Sequence, residues 1–199
     1  MAVATAPTAP TQTFEVRRFD APVGAEIIGL DISKPINEVD FARIHRAHLD
    51  HHVLVFRDQR VAPADHVAFS RRFGPLEIHV LHQFQLQGQP EILIVSNIKE
   101  KGEPIGLGDA GVYWHSDISY KDKPSLGSLL HAQELPSEGG DTLFADQHLA
   151  WEALDPALQK RILGLKAEHS YLAKYEELRA RNPWRPKLSQ AQIDQVAPA

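Results

Sequence analysis

The 199 residues are 43% hydrophobic and 24% charged, with 12 Gly and 14 Pro, proportions that fold around one sizeable core and exclude disorder throughout. The absence of Cys excludes disulfides, iron–sulfur clusters and cysteine nucleophiles, so any metal must be held by His, Asp or Glu. Lys and Arg number 21 against 26 Asp and Glu, a net charge of −5 with no basic run, which argues against a nucleic-acid partner.

Residues 1–13 contain four Ala, four Thr and two Pro, and read as a disordered leader with nothing to bury. The start lacks the cationic and apolar regions of a secretion signal, and no apolar run approaches the roughly 18 residues of a membrane span, so the expectation is a cytoplasmic protein without a membrane partner. From Phe14 a single domain is expected to run to residue 199, opening with short strands in FEVRRF and GAEIIGLDISKPI. Asn37 can cap a helix through His52, in which Phe41, Ile44 and Ala47 recur every three residues, and the apolar run at 53–56 follows as a buried strand. Pro63 suits the first turn of a second helix, which Gly74 and Pro75 stop. The runs at 92–96, 112–120, 127–135 and 141–145 favour strand and suggest a sheet or barrel wall. Asp155 followed by Pro156 opens a further helix, and a polar stretch runs on to the end.

Two H-x-D triplets occur, His48–Asp50 and His115–Asp117. Residues two apart share a face on a strand but diverge on a helix, so the pair on the expected helix cannot grip one ion and the pair in YWHSDISY can. One imidazole and one carboxylate make two-thirds of a 2-His-1-carboxylate iron(II) site. A hydrogen-bonded structural pair is equally compatible with the spacing. His45, His48 and His52 share helical spacing and read as a solvated face, His131 and His169 as packing or hydrogen-bonding residues, and Arg71 and Arg72 as surface charges.

In order along the chain, GAEIIGLDISKPI, VLVFRDQ, FSRRFGPLEIH, WHSDISY and LPSEGGDTLFAD resemble the taurine dioxygenase / 2,4-dichlorophenoxyacetate dioxygenase (TauD/TfdA) family of Fe(II)- and 2-oxoglutarate-dependent oxygenases. The resemblance implies an α/β protein with a double-stranded β-helix (jelly-roll) core and flanking helices. It makes His115 and Asp117 iron ligands and Thr142 a contact to a 2-oxoglutarate carboxylate, with O2 as the third reactant. His79 falls where relatives place a histidine that reaches the substrate's anionic group. The implied reaction hydroxylates a small anionic molecule of sulfonate, alkyl sulfate or aryloxyalkanoate type and releases succinate and CO2. Lys99, Lys101, Lys121 and Lys123 flank the H-x-D run and would favour such an acidic substrate or stand as solvated loop lysines. Relatives often form homo-oligomers.

Family members take a third ligand and a 2-oxoglutarate-binding arginine from far downstream. After Asp117 only His131, His148 and His169 remain, none in a matching context, so the domain is expected to be C-terminally incomplete and to lack its last strands. A truncated relative that binds metal or a small molecule without turnover is the alternative, and a cupin-type metalloprotein fits the motif order less well.

Overall fold

A computed structural model describes residues 10–196 and groups them into two units, residues up to 74 with 141–163, and residues 75–140 with 164 onward. Of the expected leader, residues 1–9 lie outside the described residues. Gln12 is held: its backbone N–H donates to Asp40 Oδ2 at 2.8 Å, and its side-chain amide exchanges hydrogen bonds with the backbone of Asp31.

In the first unit, β1 (Glu15–Arg18) pairs antiparallel with β2 (Ala25–Ile28), which pairs parallel with β3 (Leu54–Phe56). Parallel neighbours need a long crossover, supplied by α1 (Glu38–His51). The Asn37 side chain accepts from the Asp40 N–H at 2.8 Å, the expected cap. Ile44 and Ala47 point into a core of Phe14, Ile27, Leu30, Ile36 and Phe69. The second helix, α2 (Pro63–Arg71), starts on its proline as expected. Phe41, Phe69 and Phe73 meet edge to face over 5.0 and 5.6 Å.

Arg72 corrects the surface-charge reading. It donates to the Ile36 carbonyl at 2.7 Å and to Glu38 at 2.9 Å, and its guanidinium lies 4.2 Å over the Phe41 ring. Its planar fork ties the end of α2 to the start of α1. The unit ends with α3 (Gln147–Glu152), capped by Asp146, and α4 (Pro156–Ile162), capped by Asp155. The cap at Asp155 was expected; α3 was not.

The second unit contains two small antiparallel pairs, β4 (Gln85–Leu86) with β5 (Gln89–Leu93) and β6 (Lys99–Glu100) with β7 (Glu103–Pro104). Beyond them the backbone of Leu107 donates to Ile94. A Cβ at Gly106 would stand 2.8 Å from the Ile94 carbonyl oxygen, so only glycine allows this approach. Two further helices, α5 (Tyr171–Arg181) and α6 (Gln190–Val196), lie in the polar closing stretch, for which no element was expected. Tyr175, Leu188 and Val196 pack with Val80, Leu81, Phe84 and Leu107.

The chain is mixed α and β, but the expected strands at 112–120, 127–135 and 141–145 do not form. Composition gives a segment strand character, whereas a strand exists only when its N–H and C=O groups find a ladder partner. Among the described residues these segments find none. Their apolar side chains face solvent, Leu130 at 75% and Leu135 at 79% exposure. The sheets that do form have three, two and two strands. Of the expected strand at 92–96, only Ile92 and Leu93 belong to β5. No described helix is long and apolar enough to cross a membrane.

Candidate active site

His115 and Asp117 lie in the second unit on irregular chain, not on the expected strand. Residues 114–116 run without regular structure into a turn at 117–120, closed by the Lys121 N–H on the Ile118 carbonyl at 3.1 Å. Ile118 adopts a φ of 55°, a left-handed conformation that a β-branched residue takes only under strain of order 1–3 kcal/mol. The chain thus reverses immediately after the carboxylate.

The two side chains meet: His115 Nε2 lies 3.1 Å from Asp117 Oδ1. The other ring nitrogen, Nδ1, is 2.8 Å from the Tyr113 carbonyl oxygen. A carbonyl only accepts, so Nδ1 carries the proton in this contact and Nε2 of the neutral ring is left with a lone pair. That lone pair faces a carboxylate oxygen, an arrangement that requires a cation between or upon them. A second proton on the imidazole satisfies it, and so does a metal ion. Two donors about 2.1 Å from one octahedral ion and at right angles stand about 3.0 Å apart. The observed separation fits, and the imidazole–carboxylate donor set suits iron(II).

The second carboxylate oxygen, Oδ2, accepts a hydrogen bond from Ser128 Oγ at 2.5 Å. Sequence reasoning missed Ser128, which sits 11 residues beyond Asp117 on chain without regular structure; its hydroxyl was a signal that spacing alone could not place. No group of three or more His, Asp or Glu suited to a metal occurs among the described residues. His45, His48 and His52 therefore make no metal cluster. His45 and His48 instead set their rings against Phe73.

His79 belongs to the same unit. Its Nδ1 accepts the Leu81 N–H at 3.2 Å, which puts the ring proton on Nε2, and its ring meets Tyr171 edge to face. Burial pushes its pKa from 6.5 down to about 4, although the charges of Asp117 and Glu77 pull the other way. His79 is a neutral N–H donor at neutral pH, not a cation. Between pH 6.5 and about 4 the unfolded chain takes up a proton that folded His79 refuses. Stability is therefore full above this window and falls as pH drops through it, by at most about 3 kcal/mol from this group. Thermal unfolding at pH 7 and pH 5 checks this: His79→Gln should flatten the pH dependence, and an unchanged slope would contradict it.

Thr142 is exposed, without regular structure, in the first unit. His169 Nδ1 pairs with Ser119 Oγ at 2.9 Å, the expected hydrogen-bonding role. Lys121 pairs with Glu77 and is no free anion receptor.

Residues 15–195 match the family model described as taurine catabolism dioxygenase TauD, TfdA family. Pentalenolactone F synthase of Streptomyces avermitilis is 38% identical over 160 residues, 78% of this chain and 52% of that protein. The alpha-ketoglutarate-dependent 2,4-dichlorophenoxyacetate dioxygenase of Cupriavidus pinatubonensis is 33% identical, over 73% of this chain and 54% of that one. Among solved structures, that of AAD-2 in complex with Mn(II) and N-oxalylglycine aligns with a TM-score of 0.66 at 25% identity, covering 94% of this chain and 62% of the other. The chain spans about half the length of the curated relatives it matches. With its motifs in family order and a family match over nearly its whole length, the chain belongs to the TauD/TfdA family.

Proposed function

We propose that this chain carries the His–Asp arm of the active site of an Fe(II)- and 2-oxoglutarate-dependent dioxygenase that hydroxylates a small anionic organic substrate. The observation that carries this reading is the approach of His115 Nε2 and Asp117 Oδ1 to 3.1 Å, with Nδ1 turned to the Tyr113 carbonyl oxygen at 2.8 Å. Iron(II) held there, with 2-oxoglutarate and O2, supplies the oxidising power for C–H hydroxylation while the cosubstrate leaves as succinate and CO2.

The protein's own residues supply position. His115 presents one lone pair, fixed in tautomer by the Tyr113 carbonyl. Asp117 presents one oxygen and contributes the negative charge that favours a divalent cation. Its GGDT motif gives Thr142 a hydroxyl for a 2-oxoglutarate carboxylate, a role that rests on the motif. His79 offers substrate a neutral Nε2–H, consistent with its bond from Leu81. The substrate class follows relatives such as the 2,4-dichlorophenoxyacetate dioxygenase, which acts on an aryloxyalkanoate. The shared chemistry is proposed on family membership; the expected jelly-roll core is not formed by the described residues, whose sheets have three, two and two strands.

The test is anaerobic addition of 2-oxoglutarate to the Fe(II)-loaded protein, followed by air. A visible charge-transfer absorption and then succinate support the reading. Neither signal from wild type, or both undiminished in Asp117→Ala, overturns it.

A further inference from the structure

Beyond the two ligands, the geometry points to Ser128 as a positioning residue that holds Asp117 as a one-oxygen metal ligand. A carboxylate can bind a metal through one oxygen or both, and the choice decides how many positions remain for other molecules. Here the two oxygens have separate partners. Oδ1 faces His115 Nε2 at 3.1 Å, and Oδ2 accepts from the Ser128 hydroxyl; a hydroxyl bonded to an ionised carboxylate makes a charge-assisted hydrogen bond.

While that bond is made, rotating Asp117 to present both oxygens would break it. The plane of the carboxylate is therefore set by a residue 11 positions along the chain, on a segment that no ladder fixes. The constraint matters because both partners are exposed and Asp117 would otherwise sample many rotamers. Single-oxygen ligation keeps open the coordination positions that a bidentate cosubstrate and O2 need. Ser128 contacts neither of them; it acts through Asp117.

The inference rests on the metal reading above, and its test separates the two. Mn(II) is titrated by calorimetry into wild type, Asp117→Ala, Ser128→Ala and Ser128→Thr. The expected result is binding by wild type, none by Asp117→Ala, a loss of about 10- to 100-fold in Ser128→Ala, and recovery in Ser128→Thr, which restores the hydroxyl. Because Ser128 is exposed, its removal leaves the packing intact, and unchanged circular dichroism verifies this. Wild-type affinity in Ser128→Ala, with binding lost in Asp117→Ala, overturns the role of Ser128 alone. Equal losses in Ser128→Ala and Ser128→Thr overturn it too, since the hydroxyl then carries nothing. No Mn(II) binding by wild type overturns both readings.

Discussion

Replacing Asp109 with Ala is expected to destabilise the second unit by about 3–5 kcal/mol. Arg185 is only 5% exposed and Asp109 only 8%. The guanidinium donates through Nε to Oδ2 at 2.7 Å and through Nη2 to Oδ1 at 2.6 Å, and Asn182 adds a third donor at 2.7 Å. Such a pair adds little over an apolar replacement, because its attraction offsets the cost of removing two charges from water. Deleting one partner is different: Arg185 stays buried under Tyr175, 5.0 Å from its ring, with no counter-charge. Urea unfolding measures the loss. Asp109→Ala combined with Arg185→Met should recover most of it, since the stranded charge goes too. A single variant within 1 kcal/mol of wild type would show that the pair is dispensable.

The second large effect is on function. Asp117→Ala removes the carboxylate donor beside His115 and leaves the imidazole alone. Metal affinity should fall by at least about 100-fold. The fold should be unaffected, because Asp117 is exposed and its turn is closed by backbone atoms of Ile118 and Lys121. Unchanged melting with lost metal binding identifies a ligand; lost melting would identify a structural pair, the other reading that the H-x-D spacing left open.

What the sequence disclosed depends on whether the cause was local. Asn37, Pro63 and Asp155 announce their helices through bonds made within a few residues, and each cap or first turn forms where expected. The runs at 112–120, 127–135 and 141–145 carry strand-forming residues, but pairing is a property of two segments and their composition does not reveal the partner. The helices α5 and α6 were hidden for the opposite reason. Their sequences are polar, and they fold by burying a few residues such as Tyr175 and Val196 against Val80 and Leu81, contacts roughly 100 residues away in sequence. Ser170, which accepts the Ala173 N–H, was the one local clue to α5.

The site divides in the same way. His115 and Asp117 are two residues apart, and their side chains meet although the strand on which their convergence was expected does not form: the chain runs irregularly into a turn that begins at Asp117. Ser128 and the Tyr113 carbonyl act through folded geometry and left no motif. His79 was recognisable by its place in LEIH, but its neutral state is a consequence of burial that no spacing discloses.

The most direct test of the central claim, that His115 and Asp117 together hold a divalent metal, is anaerobic calorimetric titration of Fe(II) into the wild-type chain and the His115→Ala and Asp117→Ala variants. The account predicts one site in the wild type and its loss in both variants, with each variant retaining its fold. One equivalent of Fe(II) bound equally well by either variant would place the metal elsewhere and contradict the account.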